Sequence, residues 1–414
     1  MEPITQETRL SPWKIIILGI QHVFAMFGAT VLVPALTGLD PSVALFTAGV
    51  GTLIFHLVTK GKVPVFLGSS FAFIAAIAAV VANQGIAYAG GGIIAAGLLY
   101  LLLAGLVLIF GVDRIRSFFP PLVTGPMIMV IGLTLSPSII ANNIVGVEGS
   151  DVLAMGTLGQ RWIIVLAVIV TMIIVSIFVK GFFKLVPILL GIIVGYIVSI
   201  LFRFVDFTVI KEASIFALPP FTLPKFDIKA ISLIAPIAIV TFMEHIGDIT
   251  TNGAVVEKDF FKDPGLHRTL IGDGLATMFA GLLGGPSNTT YSENTGVLAV
   301  TKVYDPFILR VAAVFAIVLG LIGKIGAVLK TIPAPVMGGV SILLFGMIAS
   351  IGLRTLSDAK IDFTKNRNLI VISLMLVMGL SGVEFTIVQG ATLSGMSLAA
   401  IIGVILNKIL PENI

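Results

Sequence analysis

The 414-residue chain has no cysteine, only 4 histidines and 2 tryptophans, and little charge: Asp, Glu, Lys and Arg together make up 11% of it. Without cysteine there is no disulfide framework, no thiolate metal site and no thiol nucleophile, and cysteine usage says nothing about redox compartment. A soluble domain of ordinary composition carries about 25% charged residues, so the shortfall excludes one. The formal net charge of +4 is modest and gives no indication of nucleic acid as a partner. No metal-ligand cluster and no pairing of nucleophile with base is visible either, so neither an enzyme nor a cofactor is expected. What the chain has instead is 57% hydrophobic residues, at a mean hydropathy of +1.13. The expectation is an all-α polytopic membrane protein.

A spanning helix needs about 20 mostly apolar residues. Fourteen stretches offer themselves, several of them short: 13–34, 42–59, 63–82, 90–111, 120–141, 161–179, 182–202, 230–250, 266–284, 287–303, 306–329, 333–353, 367–382 and 389–408. The first reads as a retained span rather than a signal peptide, because Gln21 and His22 interrupt its apolar run and no small-residue cleavage pattern follows. Short cytoplasmic loops gather Lys and Arg. With both termini cytoplasmic, that side collects most of the 25 basic residues, from Arg9 and Lys14 through Arg114, Arg116 and Arg354 to Lys408. Arg203, Lys211, Lys225 and Lys229 belong instead to one long external connection. A miscounted span would scramble this bias.

The sequence also repeats itself. Gly68-Ser-Ser-Phe-Ala-Phe73 followed by an apolar run aligns with Asn288-Thr-Thr-Tyr-Ser-Glu293 followed by another, hydroxyl pair over hydroxyl pair and aromatic over aromatic. Pro121-Leu-Val-Thr-Gly125 likewise matches Pro335-Val-Met-Gly-Gly339. Two halves of seven spans each must lie in opposite orientations, the inverted repeat common among secondary transporters. The expected organisation is residues 1–205 as the first repeat, 206–229 as the external connection and 230–414 as the second repeat. Spans three and ten then form a matched pair broken by short extended stretches. Non-helical backbone survives in hydrocarbon only where protein buries it or it lines a cavity, so the breaks mark a site near the membrane midplane. The competing reading is that runs of small residues merely serve close helix packing.

Ionisable residues inside a membrane are costly and point to function. Glu244 and Asp248 stand four apart on one helical face, with His245 about 100° away. Two carboxylates on one buried face cannot both ionise cheaply. Glu293 and Asn294 follow the second break and open a half-helix, whose tip presents N–H groups and positive partial charge. Gln21 and His22 interrupt the first span, His56 lies near the end of the second, and Asp273 sits between two glycines in the ninth. Blander roles compete: Asp248 as a solvated end residue, Glu293 as a simple cap, His22 and Asn294 as packing hydrogen-bonders. Carboxylate acceptors, with backbone donors at Phe73 and Ser292, suit a small planar ligand carrying both N–H and C=O groups, such as a pyrimidine or purine base. Phe71, Phe73 and Tyr291 offer rings to cover its faces, although aromatics in a bundle also serve as core.

On Glu293-Asn-Thr-Gly296-Val-Leu-Ala-Val-Thr301-Lys302, Gln21-His22, Gly68-Ser-Ser-Phe-Ala-Phe73 and Glu244-His-Ile-Gly247, essentially the whole chain resembles the nucleobase–ascorbate transporters, or nucleobase:cation symporter family 2. The resemblance implies fourteen spans in a 7+7 inverted repeat, with a core domain from spans 1–4 and 8–11 and a gate domain from spans 5–7 and 12–14. It implies a bacterial plasma membrane protein that imports a nucleobase with a proton, and a homodimer through the gate domain. Carried over by position, Glu244 and Glu293 hydrogen-bond the base, with backbone groups at Phe73 and Ser292 completing its recognition. Purine-type and ascorbate-type relatives commonly carry Gln where Glu293 stands, which favours uracil over xanthine or uric acid. Some relatives assign proton coupling to a His at the position of Asp248, so the proton-coupling residues here are left among Asp248, Glu244, His245, His22 and Asn294. An anion transporter of the same fold is the reading from another class; the carboxylates argue against it.

Overall fold

The computed structural model describes residues 11–388 and 391–411; Arg9, residues 389 and 390 where the last expected span begins, and the final three residues lie outside them. Among the described residues, seven helical stretches are long and apolar enough to cross a membrane: Pro12–Thr37, Pro41–Val58, Ile86–Phe110, Pro121–Val145, Leu158–Phe178, Ile228–Val256 and Ala334–Asp358. Shorter apolar helices lie among them. Local chemistry sets their ends. The first helix, α1 (Pro12–Thr37), has proline in its first turn and stops at Gly38, whose φ of 77° a side chain would resist. The second, α2 (Pro41–Val58), also opens on proline, and the Asp40 carboxylate accepts from the N–H groups of Ser42 and Val43.

Next the chain stops being helical. Strand β1 (Leu67–Ser69) and a 3-10 turn at Phe71–Phe73 lead into a short helix, α3 (Ile74–Gln84). The helices α4 (Ile86–Phe110), α5 (Pro121–Ile140), α6 (Leu158–Phe178) and α7 (Pro187–Leu201) follow. After a connection that includes the short helices Thr208–Glu212 and Ile228–Ile234 come α8 (Ile237–Val256) and α9 (Leu266–Leu282). The break then recurs: strand β2 (Asn288–Thr290) leads into the short helix α10 (Ser292–Thr301). The chain ends with α11 (Pro306–Leu321), α12 (Ala334–Asp358), α13 (Asn366–Leu380), the hairpin β3 (Glu384–Val388) and β4 (Ala391–Ser394), and α14 (Gly395–Ile409).

The two breaks meet. Strands β1 and β2 pair antiparallel, Leu67 opposite Thr290, Gly68 opposite Thr289 and Ser69 opposite Asn288. Beyond the strands, Ser70 N–H donates to Ser287 O at 2.8 Å and Tyr291 N–H to Phe66 O at 3.0 Å. Each interrupted segment thus supplies the backbone partners that the other lacks, which is what makes non-helical chain tolerable away from water. Gly68 is required for the approach: a Cβ there would lie 2.4 Å from the Tyr291 ring.

Packing sorts the long helices into two groups. In one, α9 lies against α4 and α2, while α11 lies against α2 and α1. Glycines let α4 and α9 touch, and a Cβ on Gly97 would stand 2.7 Å from Gly274 O. In the other, α12 packs on α5 and α6, α13 on α14 and α5, and α6 on α7. One difference from the sequence reading is the hairpin at 384–394. Hydropathy extended the last expected span back over residues 389–394, whereas the helix begins at Gly395.

Candidate functional site

Helix α8 runs on to Val256, so Asp248 is interior to it rather than at a frayed end. One turn apart on the same face, Glu244 and Asp248 look into a cavity of about 850 Å³ between the two helix groups. Gly247 and Thr251 join them from α8, Ser292 from the tip of α10, Thr124, Ile128 and Ile131 from α5, and Ile348 and Ile351 from α12. At the exposed end stand four charged side chains, Asp113, Arg116, Arg354 and Asp358.

Asp248 is held by the second break. Ser292 Oγ donates to its Oδ1 at 2.6 Å and Thr290 Oγ1 to its Oδ2 at 3.1 Å. Glu244 differs: its Oε2 is buried and has no hydrogen-bond partner among the described residues. A buried polar atom in that state demands an explanation. Nearby, the N-cap residue of α10, Tyr291, makes no side-chain hydrogen bond to the first turn; the Glu293 carboxyl accepts from its own backbone N–H. Glu293 occupies that first turn, half-buried.

The other expected residues lie around this centre. His245 is fully buried and turned away from the cavity, its Nδ1 2.8 Å from Asp273 Oδ2 and its Nε2 2.8 Å from Thr269 Oγ1. Asn294 Nδ2 donates to His22 O at 3.0 Å and faces His22 Nδ1 at 3.1 Å, linking α10 to α1. Tyr291 is buried, its hydroxyl donating to Ser69 O at 2.9 Å, and its ring lies over Gly68. Phe73 is buried in the cluster with Tyr100 and Phe242. Neither ring lines the cavity; the backbone at Phe73 leads into α3 as that at Tyr291 leads into α10. His56 contacts Val65 O through Nε2 at 2.9 Å.

Several partners went unforeseen. Thr290 was visible as half of a matched hydroxyl pair but not as a donor to Asp248. Asp273 and Thr269 gave no sign of their bond to His245, since nothing in the sequence measures the distance between α8 and α9. Asn252, which joins Pro64 O and Thr295 Oγ1 at 3.0 Å each, also escaped notice.

Two interrupted helices tied through a β pair, beside a carboxylate-lined cavity in an apolar helical bundle, define a multi-pass membrane transporter rather than an enzyme. Solved structures share the fold: the transmembrane domain of a cyanobacterial bicarbonate transporter, BicA, matches with a TM-score of 0.60 at 15% identity over 97% of this chain and 98% of that one. The murine anion transporter Slc26a9 in its inward-facing state matches with a TM-score of 0.71 at 12% identity, over 97% of this chain and 69% of that one. A family model described as a permease family, Xan_ur_permease, matches residues 13–388. The uracil permease of Bacillus caldolyticus is 46% identical over 402 residues, covering 96% of this chain and 92% of its own. That of Escherichia coli K12 is 41% identical over 393 residues, covering 95% and 90%. The chain belongs to the nucleobase:cation symporter 2 family of permeases.

Proposed function

We propose that this permease imports uracil together with a proton across a bacterial plasma membrane, by alternating access. The observation that carries this reading is Glu244, which lines a cavity together with Asp248 and Ser292 at the tip of α10 and whose buried Oε2 has no hydrogen-bond partner among the described residues. Uracil presents N–H donors and C=O acceptors on one planar edge. Carboxylates at Glu244 and Glu293 accept from the former, and backbone N–H groups at the half-helix starts near Phe73 and Ser292 donate to the latter. The relatives named as uracil permeases support uracil over xanthine or uric acid.

In this reading the chain crosses the membrane fourteen times as a 7+7 inverted repeat, with both termini cytoplasmic. The packing group built on α2, α4, α9 and α11 belongs to the core domain that carries the site. The group built on α5, α6, α12 and α13 belongs to the gate domain. The cavity between them opens beside Arg116 and Arg354, on the side richer in basic residues, which fits an inward-open state. Rocking one group against the other moves the site to the opposite side. A homodimer through the gate domain completes the expected assembly.

Asp248 takes the coupling role, because it is the ionisable group that bonds both the strand and the tip of the second break, next to the site. Asp248→Asn keeps an acceptor for one hydroxyl but cannot titrate. It is expected to bind uracil within a few-fold of the wild type while losing gradient-driven accumulation; unchanged dependence on the pH gradient would move coupling to Glu244 or His22. The decisive experiment is radiolabelled uracil uptake into proteoliposomes under an inward proton gradient, with and without a protonophore. Accumulation that the protonophore abolishes is expected. Entry of xanthine but not uracil would overturn the substrate.

A further inference from the structure

The segment Val112–Phe119, between α4 and α5, is a wall with a different cavity on each side. Asp113, Arg116, Ser117 and Phe119 face the large cavity that holds Glu244 and Asp248. Arg114, Ile115, Phe118 and again Phe119 face a second cavity of about 420 Å³, completed by Leu103, Leu106 and Phe110 of α4 and Val404 of α14. This second space is within the usual size for a ligand pocket, about 300–1,000 Å³. Its lining is apolar apart from one guanidinium.

The charge at its edge is what separates this groove from an ordinary lipid-facing surface. Arg114 is exposed, and no ion pair engages it among the described residues. Lys408 of α14 stands 4.4 Å over the Phe118 ring that lines the groove, with Nζ 3.0 Å from Ser117 Oγ, and among the described residues it too has no carboxylate partner. The carboxylate next in sequence, Asp113, lines the other cavity. An apolar slot edged by two cations that are unpaired among the described residues is complementary to a molecule with a hydrocarbon tail and an anionic head.

We propose that this groove binds an anionic phospholipid, its acyl chain along Leu103, Leu106 and Phe110 and its phosphate between Arg114 and Lys408. The lipid rests on the outer side of the wall whose inner side lines the large cavity, and Phe119 touches both spaces. It also bridges α4, of one packing group, and α14, of the other.

The test reads lipid binding rather than transport, so it stands apart from the identity of the substrate. The full chain in detergent is titrated with dioleoyl phosphatidylglycerol or dioleoyl phosphatidylcholine, and retained lipid is counted by native mass spectrometry. The wild type is expected to retain phosphatidylglycerol preferentially. Removing both cations in R114Q/K408Q is expected to weaken that retention about thirtyfold, on the scale of two basic side chains near an anionic surface. Leu106→Trp, which fills the groove and leaves both charges, should reduce retention as well and serves if the double variant does not fold. Equal retention of the two lipids by the wild type, or retention of phosphatidylglycerol unchanged in well-folded variants, would overturn the proposal.

Discussion

The two interrupted segments share a backbone plan and differ in chemistry. In the first, β1 leads into a turn of buried rings, Phe71 and Phe73, and then a helix of Ala, Ile and Val. Ser69 Oγ donates to Thr30 O, and Ser70 Oγ has no partner among the described residues. In the second, nearly every residue from Asn288 to Thr295 makes or offers a polar contact: Thr290 and Ser292 hold Asp248, Asn294 holds His22, Thr295 accepts from Asn252, and Glu293 opens the helix. The same fold device is used as a frame on one side and as an instrument on the other. In the proposed reading, the repeat sets where the site falls and divergence within it gives the second half the polar groups for binding.

This contrast can be broken or sharpened by substitution. The largest effect is expected behind the second segment, where His245→Ala would leave Asp273 buried without its partner. Loss of one member of a buried pair costs about 3–5 kcal/mol, and a melting temperature in detergent within 2 °C of the wild type (on the order of the shift from about 1 kcal/mol) would show the pair to be idle. Next comes the site. Glu244→Ala and Glu293→Ala are each expected to weaken uracil binding by about 1–3 kcal/mol or more, as a buried donor loses its acceptor. That amounts to a loss of about fivefold or more in calorimetric titration, and near-normal binding in both variants would remove the second segment from the site.

The first segment should respond to shape instead. Gly68→Ala pushes a methyl into the Tyr291 ring and is expected to destabilise by about 1–3 kcal/mol, the usual range for overpacking; unaltered unfolding would mean that the strand pair yields freely. Smallest of all is Ser70→Ala, which removes a buried hydroxyl with no partner to lose, so stability should stay within about 1 kcal/mol of the wild type or rise. A loss of uracil binding in this variant would show that the frame takes part in recognition after all.

How much of this could be read beforehand followed the range of the interactions. The breaks were legible because Gly68 and Pro286 stand in apolar surroundings where helix is otherwise expected. Glu244 and Asp248 shared a face because helical periodicity requires it. Contacts between elements distant in the chain were not legible: the bonds of His245 to Asp273, Asn294 to His22 and Asn252 to Thr295 depend on which helix faces which. The rings of Phe73 and Tyr291 illustrate the same limit. Their identity suggested cover for a planar ligand, and only packing shows that one fills the helix core and the other lies on Gly68. The hairpin at 384–394 was hidden for another reason, since its β-branched and apolar residues satisfy a hydropathy window as well as a helix does.

The strand pair between Leu67–Ser69 and Asn288–Thr290 has a consequence for the chain's history and for its dissection. Severed within residues 206–229, each fragment would lose the strand pairing and keep only the partners of its own half, Thr52 for Leu67 and Thr277 for Asn288, so each alone is expected to be unstable in a bilayer. Co-expressed fragments should reassemble while single fragments are degraded. An antiparallel pair is also what two identical copies of one half would form about a two-fold axis. If the proposed inverted repeat holds, an ancestor half as long would close the same seam with a second copy of itself.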